Sequence, residues 1–224
     1  MEKESFENFK ALEWRKRLRF LADIIFATAM TIMILNIDIP VAGHITSTKE
    51  LALFLVEQLS SMWVFFISFI IISVYWLKHL EHFSEILVVN QTFIWFQLLF
   101  LVSIMLIPFW NTYIENFPEN VALRVFLSIN MVLIGVFSFL SYNYAANPKH
   151  RLLHDSISDT HIRHTKRQIL SEPAIAILAA GLVYVDLILW DLAFILIPLL
   201  FMLRKKLVTI KYFNLTTDNE KSNK

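Results

Sequence analysis

Apolar residues gather in this chain into long blocks, separated by short polar stretches rich in Lys, Arg and His. Four blocks stand apart clearly: 18–39 (LRFLADIIFATAMTIMILNIDI), 52–77, 88–110 and 121–145. A helix needs about 20 residues to cross the hydrocarbon of a bilayer, and each block meets that length. The last apolar block, from Pro173 to Leu203, is too long for one crossing and is interrupted by Asp186 and Asp191. It divides into two helices, about 168–187 and 190–208, joined by a tight turn. The pattern predicts an all-α polytopic membrane protein with six transmembrane helices. The polar segment 1–17 precedes a transmembrane domain over 18–208, and a polar, disordered cytoplasmic tail fills 209–224.

Positive charge tests the division. Lys10, Arg15, Lys16, Arg17 and Arg19 precede or open the first span, Lys78 lies between the second and third, and Lys149, Arg151, Arg163, Lys166 and Arg167 lie between the fourth and fifth. Arg204, Lys205, Lys206 and Lys211 follow the sixth. With six spans all of these share one face, and the positive-inside rule puts both termini in the cytoplasm of a cell-membrane protein. A single helix over 173–203 would put two strongly basic segments on opposite sides.

Composition agrees. Of 224 residues, 57% are hydrophobic and only 17% charged, where soluble domains carry about 25% charge. The first 17 residues lack the apolar core and cleavage site of a signal peptide. With no cysteine, disulfides, thiol catalysis and thiolate metal sites are excluded. No phosphate-cradling glycine loop, nucleophile elbow or His-Glu-x-x-His pair occurs, so the chain reads as a non-enzyme without a cofactor. The basic residues flank spans, which gives nucleic acid no role as a partner. His150, His154, His161 and His164 crowd the segment 147–168, which reads as a solvated connection rather than a metal site. The three glycines, Gly43, Gly135 and Gly181, cannot build a carbonyl-lined TVGYG filter.

The residue that does not fit a purely lipid-facing helix is Asp23. A carboxylate inside a spanning helix costs roughly 3 kcal/mol or more at the bilayer centre and usually marks a functional site or a buried pair. Arg17 and Asp23 lie at the cytoplasmic end of the first helix, and Trp76 and His79 at the same end of the second. Indole or imidazole N–H groups can donate to the Asp23 carboxylate. Trp76 alone also fits the interfacial aromatic belt. Thr28, Ile32 and Leu35, spaced i, i+4, i+7, form a stripe on the first helix with Thr31 beside it. Such stripes serve either a pore or ordinary helix contacts.

These residues carry a resemblance. Arg17 to Asp23 stand in the register of the Arg-x-x-x-Phe-Ser-Asp motif of the prokaryotic transmembrane protein 175-like potassium channels. Trp76-Leu77-Lys78-His79 resembles that family's Trp-x-x-His, and Asn90 through Trp95 to Pro108-Phe109 resembles its third span. The resemblance covers about residues 15–145, and the last two helices by pattern only. It implies a homotetramer of six-helix subunits in the lipid bilayer, with the first helices lining a potassium-permeable pore. It also implies an apolar constriction at Thr28, Ile32 and Leu35 with a threonine layer at Thr31. Two departures stand out: Leu21-Ala22 replaces Phe-Ser, and Thr28 replaces a large apolar residue.

The leading reading is a passive cation channel with potassium as the permeant ion. The alternative is a proton-coupled small-solute transporter relaying protons through Asp23 and His79. Asp186 and Asp191 read as a solvated outer turn or as a cation-attracting vestibule.

Overall fold

The computed structural model describes residues 2–40, 47–196 and 198–199. All regular structure among them is helical. The elements are α1 (Glu2–Ile32), continued by a 3₁₀ turn Met33–Asn36, then α2 (Thr48–Glu57), α3 (Leu59–Ser84), α4 (Gln91–Asn116), α5 (Val121–Ala145) and α6 (Asp159–Leu182). A shorter apolar helix, α7 (Leu187–Leu196), follows. Four segments are long and apolar enough to cross a membrane: Phe9–Leu35, Thr48–Ser84, Gln91–Asn116 and Val121–Ala145.

The fourth block matches α5 in both bounds, whereas the others differ in instructive ways. α1 starts at Glu2, so the charged segment 1–17 continues the spanning helix instead of standing apart. The second block is a run of two helices stepped at Gln58, the C-cap of α2 and N-cap of α3. The fifth helix begins at Asp159, where Ser158 accepts the His161 N–H, so the later part of 147–168 is helical rather than loop. Apolar windows locate hydrocarbon; they do not register a polar helix end that projects past it. The turn between the last two helices lies at 183–186, with Asp186 accepting from the Ile188 N–H at 2.6 Å and starting α7. The tail 209–224 and the basic cluster at 204–206 lie outside the described residues.

Ends are set by short polar side chains. Asn90 caps α4 through the Phe93 N–H and Asn120 caps α5 through the Leu123 N–H. Ser47 and Glu50 form a reciprocal capping box on α2, satisfying amides that a helix start leaves open. α4, α5 and α6 stand side by side in chain order, and α1 lies against α3 and α4. The main core joins Phe26 of α1 and Met33 of its 3₁₀ continuation, Ile72 of α3, Leu101 and Ile104 of α4 and Ile134 of α5 with Ala176 of α6. A second cluster gathers Leu18, Phe83, Ile86, Phe93 and Leu152. There the α3–α4 and α5–α6 connections meet, with the Leu87 N–H donating to the Leu152 carbonyl at 2.7 Å. Arg15 lies 6.0 Å from the Phe83 ring. The start of α1 and these two connections therefore share one end of the bundle, the basic end.

α5 and α6 touch most closely at Gly135. A Cβ built there would sit 2.5 Å from Pro173 Cδ and 2.8 Å from Cγ. A proline ring inside one helix thus fits against the bare backbone of its neighbour, the small-residue contact that close-packed membrane helices use. Gly135→Ala is expected to lower the melting temperature of the detergent-solubilised protein, by an overpacking cost of about 1–3 kcal/mol. Gly181→Ala, where nothing lies within 4 Å of the added methyl, is expected to be neutral or slightly stabilising. Equal responses from the two variants would contradict the close contact.

Candidate functional site

α1 presents two unlike faces. Leu18, Ala22, Phe26, Ala29 and Met33 are buried, at spacings of four, four, three and four residues, and form its inward stripe. Phe20, Ile24, Ala27, Thr28, Thr31, Ile32 and Leu35 are exposed on the other side. Ile32 is 47% and Leu35 78% exposed, although both are large and apolar. Leu35 falls within the 3₁₀ turn. Residues three apart eclipse one another in that geometry, so Leu35 stacks over Ile32 more directly than an α-helix would place it. Thr31 Oγ1 donates back to the helix, lying 2.9 Å from the Ala27 carbonyl and 3.2 Å from that of Thr28. Its proton is thereby engaged, and its lone pairs remain free to accept or coordinate.

The expected network of Arg17, Asp23, Trp76 and His79 is only partly assembled. Trp76 Nε1 donates to Asp23 Oδ1 at 3.0 Å, joining α3 to α1. Arg17 is exposed and stands apart from this bond. His79 is buried and turns the other way. Its Nε2 lies 3.2 Å from Gln97 Oε1, and Gln97 Nε2 donates to Ser141 Oγ at 3.0 Å. Aromatic rings enclose the imidazole, with Phe100 nearly parallel at 5.7 Å and Phe83 at 5.3 Å. The Asp23–His79 relay therefore has no direct hydrogen bond among the described residues, and Gln97 and Ser141, which sequence reasoning passed over, take the histidine's partner role.

A second pairing missed from sequence joins Lys78 of α3 to Glu172 of α6, both side chains largely buried. Spacing along the chain could not reveal it, since the partners are 94 residues apart. Near the basic end, Tyr142 donates to Glu85 Oε2 at 2.6 Å and His161 contacts the other oxygen, Oε1, at 2.8 Å. His150 stacks on Tyr144 with centroids 3.8 Å apart. His161 thus ties α6 to the end of α3 and His150 packs on the end of α5, and no cluster of three potential metal ligands occurs among the described residues.

Comparison with known proteins follows the same elements. Residues 17–108 match the profile of the family described as endosomal/lysosomal potassium channel TMEM175. Over that stretch, less than half of its length, the chain is similar to the TMEM175 family. The matched segment contains α1 from Arg17 onward, the Trp76–Asp23 bond and α4 as far as Pro108. Among solved structures, the fold is similar to that of a lysosomal potassium-selective channel TMEM175 homolog from Chamaesiphon minutus. Identity is 21% and the TM-score 0.72, covering 86% of this chain and 98% of that one. It is also similar to a variant of the potassium channel MtTMEM175 solved with a nanobody fusion, at 17% identity and a TM-score of 0.57, covering 87% and 93% of the two chains. No curated protein sequence matches. The six-helix TMEM175 fold expected from the sequence is shown, and the chain is a membrane protein.

Two mutational outcomes are expected in the folded chain. Trp76→Phe strands a half-buried carboxylate and is expected to cost about 1.5–3 kcal/mol, more than Asp23→Asn, which still leaves an acceptor for the indole. Glu172→Gln, which leaves the Lys78 ammonium without its carboxylate, is expected to cost about 3–5 kcal/mol, whereas the double change Lys78→Met with Glu172→Leu recovers much of that loss. Thermal unfolding in detergent measures both. Trp76→Phe matching the parent, or an additive double variant, would contradict the respective pairing.

Proposed function

We propose that the chain is the subunit of a passive, potassium-permeable cation channel in which α1 helices from four copies surround a shared axis. The observation that carries this reading is the exposed face of α1: two threonines and two large aliphatic residues at helical spacing, on the element whose opposite face anchors in the core. The TMEM175 profile over residues 17–108 and the potassium channels of similar fold support it. In this reading Thr28, Thr31, Ile32 and Leu35 line the path, and potassium is the ion that passes.

The physical logic is that of a constriction without a carbonyl filter. Ile32 and Leu35 rings would narrow and dewet the path, and hydrophobic constrictions gate in that way. The Thr31 hydroxyl, with its proton held by helix carbonyls, would offer oxygen lone pairs to a partly dehydrated cation. Thr28 would wet more readily than the large apolar side chain its family usually carries there, so the narrowest apolar ring would lie toward Ile32 and Leu35. Asp23, tied to Trp76, would hold helices together and stay out of the ion path. The basic flanks would place both termini in the cytoplasm by the positive-inside rule. Proton-coupled transport through Asp23 and His79 gains no support from the geometry, since His79 is committed to Gln97.

Purified protein in a planar bilayer under a potassium/sodium gradient is expected to show unitary current steps with a potassium-directed reversal potential. Thr28→Ile is expected to reduce unitary conductance by about twofold or more through added dewetting, and Leu35→Ala to increase it or relax selectivity. Saturable, pH-gradient-driven flux without current steps would reject the channel. Parental conductance in both variants would remove α1 from the ion path.

A further inference from the structure

At the end of the bundle opposite the basic end, a cavity of about 460 Å³ lies between α3, α4, α5 and α7. Its size falls in the range of small-molecule and lipid sites. One end is apolar, formed by Ile67, Ile71, Ile107 and Met131. The other is charged. Arg124 of α5 lines it, is only 7% exposed, and its Nε finds no hydrogen-bond partner among the described residues. The same guanidinium donates through Nη1 to the Pro118 carbonyl and sits 5.3 Å from the Trp190 ring. Asp191 and Glu115 also line the cavity, Asp191 exposed and Glu115 half-buried. Neither forms an ion pair with Arg124 among the described residues.

The apolar lining lies deeper in the bundle than the charged lining. Ile107 and Glu115 are both on α4, about 12 Å apart at 1.5 Å per residue. The cavity therefore runs from hydrocarbon depth to the helix ends, where Arg124, Asp191 and Glu115 line it together. A buried guanidinium with an unused N–H calls for an anionic oxygen. Two carboxylates lining the same end call for a cation beside it. An apolar extension calls for a hydrocarbon chain.

We propose that this cavity binds a zwitterionic phospholipid with a primary-amine headgroup. Its phosphate meets Arg124, its ammonium meets Asp191 and Glu115, and one acyl chain lies along Ile67, Ile71 and Met131. The site is separate from the exposed face of α1 and does not depend on what that face conducts.

The test uses the full-length protein, delipidated in detergent and titrated with palmitoyl-oleoyl phosphatidylethanolamine, the matching phosphatidylglycerol, or water-soluble glycerophosphoethanolamine. Melting temperature and native mass spectrometry read the binding. Phosphatidylethanolamine is expected to raise the melting temperature by about 5–10 °C at about a hundredfold excess over its dissociation constant. Phosphatidylglycerol should raise it less, and the soluble headgroup should leave it unchanged. The carboxylate variant Asp191→Asn with Glu115→Gln should fold normally and lose the preference for the amine lipid. Arg124→Gln should lose retention of both lipids. If Arg124→Gln does not fold, the carboxylate variant and the lipid series decide alone. Equal or stronger stabilisation by phosphatidylglycerol, an equal effect of the soluble headgroup, or an unchanged preference in the carboxylate variant would each overturn the proposal.

Discussion

A polar group inside hydrocarbon has no water to turn to, so it must find its partner on another helix. That constraint organises this bundle more than any apolar contact does, because lipid tails solvate apolar side chains as well as a neighbouring helix can. Trp76 reaches across to Asp23, Gln97 to Ser141, Asn111 to Ser68, Asn130 to the Ser103 carbonyl, and Trp190 to Ser128. Each such bond contributes only about 0.6 kcal/mol on average in membrane helices. Their effect is chiefly on specificity: every one of them pins a rotation and a depth for the two helices it joins. The Lys78–Glu172 pair does the same for α3 and α6 with a larger penalty for a missing partner.

Packing then divides the labour among the helices. α5 is central to the α4–α5–α6 row, and its Gly135 admits Pro173 where any side chain would collide. Asn130 and Ser128 on the same helix bond toward α4 and α7. α1 is held by one face only. Its inward stripe is made of small and medium residues around Phe26, and its outward stripe is exposed among the described residues. A half-anchored helix that retains large apolar and threonine side chains on its free face is what a subunit needs if function resides between copies.

Much of this was legible in the chain. The lengths of the apolar blocks marked the spans because bilayer thickness sets them, and α5 was located to the residue because Asn120 and the polar segment after Ala145 bound it on both sides. The family register over Arg17–Asp23 and Trp76–His79 named residues that the structure does bring together in the case of Asp23 and Trp76. Helix ends beyond the hydrocarbon were not legible at Glu2 or Asp159, since charged residues form good helices without leaving an apolar signature. Shared depth suggests His79 as a partner for Asp23, but depth does not give rotation, and the ring faces Gln97.

The sequence by itself determined that the chain crosses a membrane, how its basic segments sort to one end, and which helix carries an intramembrane carboxylate and a threonine-bearing stripe. These are properties of local composition and periodicity, set by the hydrophobic effect and by helical geometry. Only the tertiary structure decided which polar groups pair, that Lys78 meets Glu172, that Arg124 is buried beside a cavity with an N–H to spare, and that the outward face of α1 is exposed among the described residues. Those outcomes depend on the rotation and tilt of helices far apart in the chain, which residue spacing within one helix does not encode.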